Sequence, residues 1–294
     1  MKPTIRICLF GKFSVHFGDE LILAHSPHKA QELLAYLALH TGKVHPRDSL
    51  ADLLWAGLDT PNSRKYLRQA LWQVHSGLLA VGRARLARLL QAESDWLALE
   101  FGEREETDVA NFEQAFASAN ATPGDALGPG VARQLADAVR LYRGDLLQSW
   151  VVEWCGYDRE RFRGACLNIL EKLAEYHEFR HEYETANVYA TLALRMDPAR
   201  ERSHRSLMRS LAKSGDRCGA MRQYLHCVEA LRDELGVGPE PETVVLEQMI
   251  RAGDVVGGVR QPVRAANAAQ RGGPRGITVV ASARRFRRDS SRQV

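Results

Sequence analysis

Residues 60–79 read Thr-Pro-Asn-Ser-Arg-Lys-Tyr-Leu-Arg-Gln-Ala-Leu-Trp-Gln-Val-His-Ser-Gly-Leu-Leu, and two opposed patterns run through them. Leu67, Ala70, Leu71, Val74 and Leu78 fall on one stripe at helical spacing. Stepping about 100° per residue from Leu67 puts Lys65, Gln69, Trp72 and Ser76 on the opposite side. Arg68 and Gln73 flank that side, with Arg64 and His75 nearer the core boundary. Thr60 reads as the N-cap and Pro61 as the first helical residue, where a fixed φ and a missing N–H do no harm. One face suits a core and the other carries Arg, Lys and Gln. Cationic side chains donate to guanine, a glutamine amide pairs with adenine, and shoulder cations neutralise phosphates. A solvated surface helix would use the same residue types, so the neighbouring segments must decide.

On the N-terminal side, Ile5-Arg-Ile-Cys-Leu9, Phe13-Ser-Val-His-Phe17 and Leu21-Ile-Leu23 alternate or run apolar, separated by Gly11-Lys12 and Gly18-Asp19. They predict a small antiparallel sheet. From Ser26-Pro27 the period becomes helical through Leu33, Leu34, Leu37 and Ala38, and Gly42 ends that helix. A shorter helix is expected from about Pro46 to Trp55. On the C-terminal side, Arg88-Leu-Leu-Gln-Ala92, Glu93-Ser-Asp95 and Trp96-Leu-Ala-Leu-Glu100 read as a hairpin. Sheet, three helices and a closing hairpin are the order of a winged helix, which moves the reading of residues 60–79 to DNA recognition. The expected base-reading residues are Lys65, Arg68, Gln69 and Gln73. Lys29, Arg47 and Arg64 are expected on phosphates. Trp72 is expected either on DNA or against the hairpin. The hairpin tip has two acids, Glu93 and Asp95, which Arg83, Arg85 and Arg88 partly compensate.

The whole chain supports a two-part reading. It has 294 residues, 45% hydrophobic and 26% charged, enough for two domains with their own cores. The net charge of +4 is unevenly spread: +6 over residues 1–92, −10 over 93–254 and +8 over 255–294. A basic head suits a polyanion, and an acidic body suits a protein partner. No apolar run is long enough for a bilayer, and the first residues lack a signal peptide's pattern. Five scattered cysteines without a C-x-x-C read as free thiols in a reducing cytoplasm. From Asp108 to Ile250 the pattern is helical almost throughout, with one soft linker at 122–130. The last 40 residues, rich in Arg, Gly, Ala and Ser, are expected to be disordered, either as an unselected tail or as one whose arginines add non-specific DNA affinity.

Several runs together resemble a known family. His28-Lys-Ala-Gln-Glu-Leu-Leu-Ala-Tyr-Leu-Ala-Leu-His40, Arg47-Asp-Ser-Leu-Ala-Asp-Leu-Leu-Trp55 and Tyr66-Leu-Arg-Gln-Ala-Leu-Trp72 resemble the OmpR-like winged helix of SARP-type (antibiotic regulatory protein) activators. Leu141-Tyr-Arg-Gly-Asp-Leu-Leu147, Trp154, Met196-Asp-Pro-Ala-Arg-Glu-Arg202 and Glu234-Leu-Gly236 resemble the bacterial transcriptional activator domain that follows it in such proteins. The resemblance spans about residues 4–252. It implies sequence-specific binding to double-stranded promoter DNA, usually at direct repeats, and activation through RNA polymerase. A homodimer on DNA is a further expectation; no cofactor and no membrane are expected. Two positions depart from the family: His75 stands where a basic residue is common, and Gly77 where a stronger helix former is usual.

The expected fold is therefore mainly α. An α+β winged helix over 1–103 precedes an all-α, tetratricopeptide-like domain over 104–252 and a basic tail over 253–294. A shift of 34 residues takes Leu173 to Leu207, His181 to Gly215, Ala186 to Ala220 and Ala190 to Tyr224, the period of stacked helix–turn–helix repeats. The same region holds His177-Glu178-Phe179-Arg180-His181, a literal H-E-x-x-H. On a continuous helix this could hold zinc with Glu178 as general base, making the chain a metallopeptidase. Arg180 inside the motif and Glu184 where some zinc peptidases need glycine oppose that alternative.

Overall fold

The computed structural model describes residues 5–24, 26–80, 88–102 and 105–255. Arg83, Arg85 and the basic tail beyond Val255 lie outside them. β1 (Ile5–Cys8), β2 (Ser14–Phe17) and β3 (Glu20–Ile22) form the antiparallel meander that the alternation predicts. α1 (His28–Leu39) buries Leu33, Leu34, Leu37 and Ala38. α2 (Arg47–Leu54) and α3 (Thr60–Ala80) follow.

The chain enters α3 one residue earlier than expected. The Asp59 carbonyl accepts from the Asn62 and Ser63 amides at 3.1 and 3.0 Å, so the cap is Asp59 and Thr60 is already helical. The wing is a three-stranded sheet in the order β4-β6-β5. In it β5 (Leu90–Ala92) and β6 (Trp96–Leu99) form the hairpin, and β4 (Val44–Pro46) runs antiparallel on the other side of β6. β4 has too few residues for an alternation to be visible.

β7 (Glu105–Thr107) lies parallel to β1 and extends the first sheet to β3-β2-β1-β7. The division expected at 103/104 thus falls just before a strand of the N-terminal sheet. Thr107 caps α4 (Asp108–Ser118), its hydroxyl accepting from the Ala110 amide at 2.9 Å. The soft linker expected at 122–130 is instead ordered. A 3-10 turn at Gly124–Ala126 presses on the next long helix so closely that a Cβ at Gly124 would lie 2.5 Å from the Lys172 carbonyl.

α5 (Pro129–Leu141) then leads into the repeats: α6 (Gly156–Phe179), α7 (Tyr183–Met196), α8 (Glu201–Lys213), α9 (Arg217–Leu235) and α10 (Pro241–Ala252). The 34-residue shift holds in the backbone. After α6 the Glu182 amide donates to the His177 carbonyl at 2.8 Å, and after α8 the Asp216 amide donates to Leu211 at 2.9 Å. His181 and Gly215 occupy the matching left-handed position, at φ +60° and +94°.

One cluster of buried residues runs from Ile5 through the winged helix into the repeats. At its centre, Phe10 packs edge-on against Phe112 and Phe162, with ring centroids at 5.2 and 5.3 Å, and tilts against Tyr142. The Asp108 carboxylate, buried at the start of α4, accepts from the Leu9 and Phe10 amides at 2.8 and 2.9 Å. Burial pushes its pKa up to about 6 against the pull of those N–H donors. The Leu147 amide adds a bond to the Leu9 carbonyl, and the Trp154 indole donates to buried Glu32 of α1 at 3.0 Å. The winged helix is fastened to the helical half by apolar packing and by hydrogen bonds to its backbone.

Candidate nucleic-acid interface

α3 packs against α1 and α2, and its burial follows the periodicity. Leu67, Ala70, Val74 and Leu78 are buried, and Leu71 is half-buried at the edge of the stripe. Gly77, out of place in a good helix, has a packing reason. A Cβ there would lie 2.4 Å from Leu23 Cδ2, and Leu23 reaches that spot with φ at +60°.

On the outward face Lys65, Arg68, Gln69 and Trp72 are all exposed. Trp72, with 67% of its surface open, does not pack on the wing. Among the described residues none of these four makes a hydrogen bond or ion pair with its side chain. Gln73 sits half-buried on the shoulder, and His75 is exposed. These four large, polar or aromatic side chains are therefore open to a partner outside the chain.

The flanking cations divide. Arg47, Asp48, Arg64, Arg68, Ser94 and Asp95 line a cleft of about 480 Å³ between α2, α3 and the wing turn. The Arg47 amide donates to the Asp95 carbonyl at 2.9 Å, which ties α2 to the wing. Arg64 donates from Nε and Nη2 to the two carboxylate oxygens of Asp48, each at 2.6 Å. That pairing holds the Asp48 carboxyl below the usual carboxylate range. Arg88 is exposed at the start of the wing hairpin.

Lys29 has partners within the chain. Its ammonium donates to the Leu54 carbonyl at 2.5 Å, pairs with buried Glu32 at 2.9 Å and lies over the Trp55 ring. It is engaged in the junction of α1 and α2, with its side chain still about half exposed. Sequence reasoning missed Asp48, Glu32 and Asp108, because acidic residues in helical first turns or stripes look like surface until their partners are known.

The H-E-x-x-H does not form a metal site. α6 ends at Phe179, so His181 stands beyond the helix in a left-handed turn with its Nδ1 2.8 Å from the Tyr183 hydroxyl. His177 Nδ1 is 2.6 Å from Glu182 Oε2, and its ring stacks on Tyr189. Glu178, which would be the base, is buried between Arg209 and Lys213 at 3.2 and 2.9 Å. The two histidines do not share a helix face, and the glutamate is neutralised by two cations. The metallopeptidase alternative fails on this geometry. No group of three or more potential ligands gathers among the described residues.

Residues 107–251 match the family model of the bacterial transcriptional activator domain. Over those residues the helical half of this chain is similar to bacterial transcriptional activator domains. The chain is also 27% identical over 253 residues to the regulatory protein AfsR of Streptomyces griseus, across 85% of its own length and 25% of that relative's. It shares its fold with Mycobacterium tuberculosis EmbR, solved in complex with a low-affinity phosphopeptide. The TM-score is 0.70 at 17% identity, across 85% of this chain and 65% of EmbR. The chain thus spans a quarter of the regulator it resembles in sequence. The resemblance to SARP-type activators is borne out, as is the mainly α architecture with a small N-terminal β region. The family is one of transcriptional regulators. No described helix is long and apolar enough to cross a membrane.

Proposed function

We propose that this chain activates transcription by reading double-stranded promoter DNA with the outward face of α3 while its helical half engages RNA polymerase. The observation that carries the reading is the set Lys65, Arg68, Gln69 and Trp72, exposed and without partners among the described residues, opposite the buried stripe of Leu67, Ala70, Val74 and Leu78. Arg68 would donate to a guanine edge and Gln69 would pair with adenine, with Lys65 and Gln73 reading neighbouring positions. Arg47 and Arg88 would neutralise phosphates on either side. The helical half supports the activator role through its family. Its stacked repeats offer the extended surface on which solenoids bind proteins. Two copies side by side would occupy direct repeats.

The test is binding to the DNA upstream of the protein's own gene and to random duplex, each across a salt series. Cognate binding should be tighter, and both affinities should fall steeply as salt rises. The double variant Arg68→Ala, Gln69→Ala should retain its melting temperature and lose the preference for cognate DNA. Retained preference in that variant would overturn the assignment of α3 as the reader.

A further inference from the structure

Three arginines border the cleft between α2, α3 and the wing, and one of them differs from the others. Arg64 presents both donors of its fork to both oxygens of Asp48 at 2.6 Å, a bidentate geometry that fixes the guanidinium plane. Arg68, one turn further along the same helix, makes no such pair among the described residues. Both members of the Arg64–Asp48 pair are about half exposed, so the pair lies on the surface that a duplex would meet. Asp48 is the acidic residue in the first turn of α2, where the helix end favours a negative charge and helps keep it ionised.

We propose that Asp48 is an affinity-limiting residue: it holds Arg64 away from the DNA phosphates and so removes one sequence-independent contact from every complex the protein makes. The inference rests on α3 being the DNA-reading helix and deepens that reading. A cation paired with a carboxylate presents no net charge to the backbone and releases no counterion on docking. Specificity depends on the ratio of cognate to random binding. A phosphate contact raises both affinities and so lengthens the time spent on wrong sites without improving the ratio. With Arg64 paired, a larger share of binding is left to the base-reading residues of α3.

The experiment compares wild type, Asp48→Asn and the double variant Asp48→Asn, Arg64→Gln on a labelled random duplex and on the upstream duplex, by fluorescence anisotropy across salt. Asp48→Asn keeps the size of the side chain and removes its charge, and thermal melting checks that each variant is folded. The single variant should bind both duplexes more tightly. Its plot of log affinity against log salt should be steeper by about 0.9, the increment for one phosphate, so its advantage shrinks about 3.5-fold between 50 and 200 mM salt. The double variant should return to the wild-type slope, because it has lost a neutral pair. A double variant shallower than wild type by that increment would show that Arg64 already contacts phosphate, and would overturn the proposal. So would an unchanged slope in the single variant. If the wild type shows neither salt-dependent binding nor preference for the upstream duplex, the reading of α3 fails first.

Discussion

The outward face of α3 and the repeat helices use the same residue types to opposite ends. In the repeats, arginines meet carboxylates at almost every turn: Arg200 pairs with Glu171 at 2.7 Å, Arg202 with Glu175 at 2.8 Å, and Arg209 and Lys213 with Glu178. Glu171 and Glu178 are themselves buried, so these pairs bind one helix to the next. On α3, Lys65 and Arg68 have no carboxylate partner among the described residues. Charge neutralised within the chain acts in cohesion, whereas charge left open is available to a partner. The net charges of +6 over residues 1–92 and −10 over 93–254 point the same way but cannot tell a paired arginine from an open one.

The contrast holds only if the two regions share one folded body. Phe10, two residues past the end of β1, is fully buried against rings from α4, the end of α5 and α6. Phe10→Ala removes a buried aromatic from that junction and should cost about 3–5 kcal/mol. Calorimetry should show one cooperative transition in wild type and a single, lower one in the variant. Two separable transitions with only one displaced would mean that the halves fold independently.

A pair of smaller changes tests the contrast directly. Arg68→Ala should weaken discrimination at one base pair by about 1–3 kcal/mol and leave melting unchanged. Glu178→Gln leaves Arg209 and Lys213 without their carboxylate. It should cost about 1–3 kcal/mol of stability, below the figure for a fully buried pair because both cations are partly open to solvent. Its DNA discrimination should stay at the wild-type value. If each substitution moved both readouts, the division of labour between paired and open charge would be lost.

Much of this was legible in the sequence, and the limits are physical. Periodicity alone placed the buried stripe of α3, the meander of β1 to β3 and the 34-residue repeat, because burial imposes periods of 3.6 or 2 residues on the chain. The outward face of α3 followed by geometry. Contacts between segments far apart in sequence were not legible. Nothing local marks the parallel pairing of Ile5–Ile7 with Glu105–Thr107, the anchoring of Asp108 to the Leu9 amide, or the pairing of Arg64 with Asp48. Gly124 read as linker and Gly77 as a weak point because a glycine's reason is often an atom from elsewhere, here Lys172 and Leu23.

The junction also carries a pH dependence of definite sign. His40 and His45 lie against Tyr36, with ring centroids at 4.6 and 5.1 Å, and Tyr36 lies against Trp154 of the helical half. Burial lowers the pKa of both histidines below 6.5. The unfolded chain therefore takes up these protons first. The stability they contribute is present above pH 6.5 and lost as pH falls through the folded values. Asp108 acts in the opposite sense: its contribution is complete below 3.8 and lost as pH rises through about 6. The informative quantity is the difference between wild type and His40→Gln, His45→Gln. Wild type should lose more melting temperature than the variant between pH 7.5 and 5.5. Equal losses would remove these histidines from the account.

The smallest effect concerns the residue that most resembled a metal ligand. His181 takes the turn position that Gly215 takes one repeat later, both in the left-handed region where a side chain on Cβ is disfavoured. His181→Gly should relieve that strain. Against the gain stand the lost contact with the Tyr183 hydroxyl and the greater freedom of glycine in the unfolded chain. The net should be a stabilisation of at most about 1 kcal/mol, or roughly 2–4 °C, and Gly215→His should cost a similar amount. A residue holding a metal would behave otherwise. Its replacement by glycine would lower the melting temperature, and by more when metal is present than when a chelator is. A rise that is the same with and without chelator would place His181 in the architecture of the repeats, where its backbone angle matters more than its imidazole.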